Sequence, residues 1–185
     1  MHETEMTLAE LVKTHQKAIF HWAYDMTGSV EDAEDLVQET FMKVHLALKN
    51  FRGESRLTTW LFKIARNTYL DRQKTRRFKM HILERPMPEN TENQTSFAQG
   101  PIPPTPEQKI LNDALQEDLD AAIKNLSPLQ REVFVLRHYH GFKLREISSI
   151  LNRTEPTVKT TLYRAIHSLR AALGHHLMRR EEEAL

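Results

Sequence analysis

The 185-residue chain has no cysteine, so neither a disulfide nor a thiolate zinc site can brace it. It suits a reducing interior, and the cytoplasm is the expected location. Its five glycines are scattered, which leaves no glycine-rich loop to cradle a phosphate. No apolar run approaches the roughly 20 residues needed to span a bilayer. The acidic start Met1-His2-Glu3-Thr4-Glu5 lacks the basic and apolar regions of a signal peptide. Net charge is only +1, so the overall balance argues neither for nor against a polyanionic partner.

The charges are nevertheless segregated. Residues 1–50 carry net −5, 51–85 net +7, 86–126 net −5 and 127–180 net +7, before Glu181-Glu182-Glu183. Neutralising phosphates requires local cations, so two basic blocks in an otherwise acidic chain suggest two contacts with nucleic acid. Prolines are segregated as well: six of the eight lie between Pro86 and Pro106. That composition reads as a linker, about 70 Å long if extended and about 26 Å as a flexible coil. The expected architecture is all-α, with two small helical domains at 1–84 and 107–180 joined by residues 85–106.

Helical periodicity supports that division. Thr7-Leu8-Ala9-Glu10 forms a capping box, and Leu8, Leu11, Val12, His15, Ile19, Trp22, Ala23 and Met26 follow at core spacing until Gly28. Ser29 then caps a helix with Ala33, Leu36, Val37, Thr40, Phe41, Val44 and Leu48 on its buried side. Its other side carries Asp32, Asp35, Gln38, Glu39 and Met42, an acidic and amide-bearing strip with an apolar rim. First-turn acids merely favour the helix dipole, which accounts for Glu31 and Asp32 but not for Gln38, Glu39 and Met42.

A third helix begins after Phe51-Arg52-Gly53-Glu54-Ser55-Arg56 and runs through Trp60, Leu61, Ile64, Ala65 and Thr68 into a basic end. Aromatics and cations interleave there, a mixture suited to single-stranded nucleic acid, where cations follow the backbone and rings stack on bases. Trp60 has core spacing, whereas Tyr69 and the basic residues are expected outside.

Beyond the linker, Ile110, Leu111, Ala114, Leu115, Leu119, Ala122, Ile123 and Leu126 mark another helix. Ser127-Pro128-Leu129-Gln130 opens the next, which His140-Gly141 closes. Leu144, Ile147, Ser148 and Leu151 then form a short apolar face, and Asn152-Arg153-Thr154 is the turn before a longer helix. Val158, Leu162, Ala165, Ile166, Leu169, Ala172 and Leu173 share one side of that helix, while Lys159, Thr160, Tyr163 and Arg164 share another. Thr154 can cap it and Pro156 suits its first turn. Short helix, tight turn and longer helix is the helix-turn-helix arrangement, though a surface αα-hairpin has the same pattern.

Ten histidines invite a metal or catalytic reading. His138 and His140 would lie about 200° apart around a helix, and His175-His176 are adjacent near the C-terminus. Without an HExxH pair, a carboxylate dyad with a positioned histidine or a nucleophile elbow, the expectation is a binding protein. No catalytic residue, metal, cofactor or small-molecule substrate is expected.

Four motifs, in order, resemble the extracytoplasmic-function group of bacterial sigma factors. They are Asp32-Ala33-Glu34-Asp35-Leu36-Val37-Gln38-Glu39-Thr40-Phe41, Thr59-Trp60-Leu61-Phe62-Lys63-Ile64-Ala65-Arg66-Asn67, Leu126-Ser127-Pro128-Leu129-Gln130-Arg131-Glu132-Val133-Phe134 and Thr157-Val158-Lys159-Thr160. The resemblance covers residues 8 to 173. It implies an N-terminal domain that docks on core RNA polymerase and melts the minus-ten element, and a C-terminal domain that reads the minus-thirty-five element. Docking on the coiled coil of the largest catalytic subunit would use Asp32, Asp35, Leu36, Gln38 and Glu39, with Met42 at the strip's edge.

By the same resemblance, Ser55, Arg56, Leu57 and Thr58 would form a pocket for an unpaired base of the non-template strand. Arg52, Arg66, Asn67, Tyr69, Asp71, Lys74 and Arg77 would lie along that strand. Lys159, Thr160, Tyr163 and Arg164 would face the duplex, with Arg145 and Arg153 on phosphates. The chain departs from the family's Val-Lys-Ser-Arg in having Val158-Lys159-Thr160-Thr161, and Glu155-Pro156 stands where glycine is common. The resemblance also implies a role in stress response and an anti-sigma factor as partner, membrane-bound in some members. Two other readings predict different behaviour: an ordinary helix-turn-helix regulator would bind duplex unaided, and a small nuclease would require a divalent metal.

Overall fold

The computed structural model describes residues 8–83 and 118–183, with side chains over 8–77 and 118–174, and these residues are helical with short connections. The expected cap at Thr7, the proline-rich stretch and the first part of the helix expected after residue 106 lie outside them. Helices α1 (Leu8–Thr27), α2 (Val30–Leu48) and α3 (Leu57–Leu83) precede the gap. After it come α4, described over 118–124, then α5 (Pro128–His138), α6 (Leu144–Leu151) and α7 (Glu155–Glu183). The fold class is all-α.

Local chemistry sets the boundaries. Gly28 ends α1 in the left-handed region at φ +70°, a conformation that glycine adopts without a Cβ penalty. Ser29 is the N-cap of α2, its hydroxyl accepting from the Asp32 amide at 3.3 Å. At α5 the Ser127 amide donates to Gln130 Oε1 at 3.2 Å, the reciprocal half of a capping box. Gly141 (φ +69°) follows α5, and the Phe142 amide donates to the Leu136 carbonyl at 3.0 Å, satisfying one of the helix's last carbonyls.

The chain divides into two compact units. In the first, α1, α2 and α3 pack on one another around Leu11, Ile19, Trp22, Leu36, Val44, Leu61 and Ala65, all at 0% exposure. The unit also takes in residues 135–155, part of the segment 107–180 expected from the sequence as the C-terminal domain. Aromatic packing accounts for this: Phe62 of α3 is edge-on to His140 at 5.0 Å and to Phe142 at 4.8 Å, and α6 packs on α3. The second unit, whose described residues are 118–134 and 156–183, has its own core. There Ala122, Ile123 and Leu126 meet Ala165 and Leu169 of α7, with Leu119, Phe134 and Leu173 alongside.

Candidate nucleic-acid interface

Helix α2 separates a buried side from a polar one. Ala33, Leu36, Val37, Thr40, Phe41 and Val44 are buried; Asp35 and Gln38 are exposed, Asp32 and Glu39 half-buried, and Met42 is 69% exposed. Leu36, expected on the docking strip, has no exposed surface and supports the strip from beneath. Its place in the motif is explained by packing.

The strip is tied to α3 by ion pairs. Arg72 Nε donates to Glu39 Oε2 at 2.7 Å, and Arg76 Nη1 lies 3.4 Å from Asp32 Oδ2. Lys43 Nζ bridges Glu39 Oε1 at 3.0 Å and Asp71 Oδ2 at 3.6 Å, and Lys74 stands 3.7 Å from Asp71 Oδ1. Burial acts to raise the Glu39 pKa, but hydrogen bonds from Arg72 and Lys43 outweigh it and hold the carboxyl below its ordinary value. Arg72, Arg76 and Lys43, which pair with the strip, are absent from the site residues expected from the sequence. The spacings of Glu39–Lys43 and Asp71–Lys74, four and three, are local signals; the pairs of Arg72 and Arg76 have none.

Tyr69, expected outside, turns inward. Its ring is edge-on to Trp22 at 6.1 Å, and its hydroxyl donates to the Met26 carbonyl at 3.2 Å. An apolar ring with one polar tip is well satisfied at such a boundary. Arg66 is half-buried, while Asn67, Lys74 and Arg77 are exposed on the same helix.

Around the start of α3, Arg52 is exposed and Ser55 and Thr58 are half-buried. Leu57, assigned to the base pocket, is 6% exposed and belongs to the core instead. Phe51 and Trp60 pack against each other at 4.9 Å, so neither ring is a bare stacking platform. Arg56 projects toward α6, its Nη1 3.5 Å from Glu146 Oε1. His15, Ala18, Arg56, Thr58, Phe62, His140, Gly141, Phe142 and Glu146 line one cavity of about 200 Å³. His140 is lowered to a pKa of about 4, first by burial and then by the neighbouring His21.

The helix-turn-helix lies where expected. Asn152 ends α6 in the left-handed region (φ 50°), the Arg153 amide donates to the Ser148 carbonyl at 3.0 Å, and α7 starts at Glu155. Ile150 joins Ile147 and Leu151 as buried residues of α6, while Ser148 is half-buried. On α7, Val158, Ala165 and Leu169 are buried, and Ala172, expected on that side, is exposed. Lys159, Thr160, Tyr163 and Arg164 are exposed together, Tyr163 at 71%, and Arg145 and Arg153 are exposed too. None of these four cations forms an ion pair with another described residue. Among the described residues, no group of three or more histidine, aspartate or glutamate side chains could hold a metal.

Family models place this arrangement. Sigma-70 region 2 matches residues 11–78, and Sigma-70, region 4 matches 116–169. The chain is 30% identical over 169 residues to the ECF RNA polymerase sigma factor SigW of Bacillus subtilis, covering 89% of this chain and 88% of that one. The chain belongs to the ECF RNA polymerase sigma factors. Another relative is SigE of Mycolicibacterium smegmatis, 33% identical over 90% of this chain but only 62% of SigE's length. Among solved structures, the sigma factor RpoE in complex with the anti-sigma factor NepR from Bartonella quintana shares the fold. Its TM-score is 0.71 at 24% identity, over 90% of this chain and 96% of that one. CnrH in complex with the cytosolic domain of CnrY has a TM-score of 0.62 at 21% identity, over 91% and 88% of the respective chains. Membership carries the family's function, promoter-specific transcription initiation. The region 2 match spans the α2 strip and the loop before α3, and the region 4 match spans the helix-turn-helix of this sigma factor.

Proposed function

We propose that this sigma factor grips a promoter at two points while its α2 strip holds core RNA polymerase. Asp32, Asp35, Gln38, Glu39 and Met42 form the polymerase contact, an acidic strip with an apolar rim that suits a cationic helix. Arg52, Ser55, Arg56 and Thr58 take an unpaired non-template base, and Arg66, Asn67, Asp71, Lys74 and Arg77 lie along its strand. Lys159, Thr160, Tyr163 and Arg164 read the minus-thirty-five duplex, with Arg145 and Arg153 on phosphates. Residues 1–84 and 107–180 act as the two grips and 85–106 as the span between them. Promoter elements about 17 base pairs apart are separated by roughly 58 Å, within the reach of those residues if extended.

One observation carries the reading. α7 buries Val158 and Ala165 while leaving Lys159, Thr160, Tyr163 and Arg164 open on one face, the geometry of a duplex-reading helix. The protein acts by binding, without a catalytic centre of its own, in the cytoplasm where the polymerase works. Among the described residues no helix is long and apolar enough to cross a membrane. The complexes of RpoE with NepR and CnrH with CnrY support an anti-sigma factor as the restraining partner. A mobility shift on promoter-bearing duplex with and without core polymerase tests the proposal. A specific shift appears only with core present; equal binding by the chain alone favours an ordinary helix-turn-helix regulator.

A further inference from the structure

The loop before α3 is already occupied. Arg56 faces the Glu146 carboxylate at 3.5 Å, and Phe62 is edge-on to Phe142 and His140 at 4.8 and 5.0 Å. Glu146 is held in place, since its other oxygen accepts from the Lys143 amide at 2.8 Å. Phe142 is 7% exposed, so its ring is held rather than loose. The segment thus presents an anionic group to a guanidinium and two rings, edge-on, to an aromatic side chain. A nucleotide offers the same pair of features, a phosphate for arginine and a planar ring for an aromatic contact.

We propose that residues 140–146 act as an internal nucleotide mimic, filling in the free chain the place that an unpaired base and its phosphate take at Arg56 and Thr58. The segment and single-stranded DNA then exclude each other, and capture of the base requires the segment to leave. This rests on the assignment of the Ser55–Thr58 loop to base capture made above. Its physical ground is independent of that assignment: one cavity has His15, Ala18, Arg56, Thr58 and Phe62 on one side and His140, Phe142 and Glu146 on the other. Neither the aromatic contact nor the ion pair survives if another ring and anion enter.

Because the chain has no cysteine, a His15→Cys/Glu146→Cys pair gives two unique thiols across the cavity. A short bis-maleimide containing a disulfide would bridge them in the free chain. Binding of a fluorescein-labelled, mixed-sequence 12-nucleotide single-stranded DNA is followed by anisotropy before bridging, after bridging and after reductive cleavage. The expected result is efficient bridging, at least a tenfold loss of affinity in the bridged chain and recovery on cleavage. Failure to bridge, or equal affinity of bridged and cleaved forms, overturns the proposal. A second variant, Glu146→Gln, should bind the same DNA more tightly than the unmodified chain, and unchanged affinity counts against the mimic. Run-off transcription from fragmented genomic DNA with core polymerase separates the two levels. If even the unbridged pair variant and the unmodified chain fail to direct initiation, the sigma reading fails, whatever the anisotropy shows.

Discussion

Two blocks of the chain carry the same net charge, +7, yet the structure uses them differently. In the first, Arg72, Arg76 and Lys74 are paired with Glu39, Asp32 and Asp71. In the second, Lys159, Arg164, Arg145 and Arg153 have no ion-pair partner among the described residues. Composition therefore measures how many cations a segment has, whereas the fold decides how many are available to phosphate. Exposed ion pairs contribute only about 0–1 kcal/mol each, so the first block's arginines are restrained lightly and can exchange partners. The second block is ready to bind without exchange.

The largest test of this contrast sets a ring in the first unit against one on α7. Phe62→Ala removes the residue edge-on to Trp22, His140 and Phe142 and should destabilise the fold by about 3–5 kcal/mol in denaturant titration. Tyr163→Ala should change stability by less than about 0.5 kcal/mol while weakening duplex recognition. A smaller effect is expected from the open cations. Arg164→Ala should relax minus-thirty-five specificity of the holoenzyme by about 1–3 kcal/mol, whereas Arg153→Ala should weaken all sites alike.

The two tyrosines sharpen the contrast further. Tyr69→Phe leaves the Met26 carbonyl without its donor and should cost about 1 kcal/mol of stability, while Tyr163→Phe should be neutral. Two pH effects follow from burial and pairing. His140 is shifted down to about 4 from 6.5, so the packed arrangement binds fewer protons than one with His140 in water. Its contribution is complete above about pH 6.5 and falls away as the pH drops toward 4. The ionisable groups around it are His15 and His21 of α1, Arg56 and Glu146. His140→Phe should flatten that part of the thermal-stability profile. Glu39 gives the smallest effect: its carboxyl is lowered, so the contribution of its pairs is present above the ordinary carboxylate range and lost as the pH falls through the lowered value. Arg72→Ala should reduce that acid sensitivity with a stability change under about 1 kcal/mol.

Much of this was legible from local pattern. The boundaries of α1, α2, α6 and the turn before α7 follow from Gly28, Ser29 and Asn152, because caps and left-handed residues act within a few positions. The exposed face of α7 was legible because 3.6-residue periodicity separates Lys159, Thr160, Tyr163 and Arg164 from Val158 and Ala165. Tyr69 was misread because periodicity cannot say whether an amphipathic ring finds a distant carbonyl. Arg72, Arg76, His140, Phe142 and Glu146 were not assigned because their partners are far along the chain. Leu36 and Leu57 lie in motifs, but a motif cannot distinguish a side chain that touches a partner from one that supports those that do.

The central claim is that this sigma factor gains promoter specificity by joining core polymerase. It is tested most directly by reconstituted initiation from fragmented genomic DNA with purified core enzyme, the chain, and the chain carrying Asp35→Lys. Asp35 is exposed on α2 and forms none of the ion pairs described, so this change reverses the strip's charge without disturbing the core. Discrete run-off products are expected with the unmodified chain and are lost with the variant, while binding of the free chain to single-stranded DNA persists. Products that depend on the chain yet are unaffected by Asp35→Lys would contradict the polymerase-docking role of the α2 strip, and no chain-dependent products at all would contradict the claim itself.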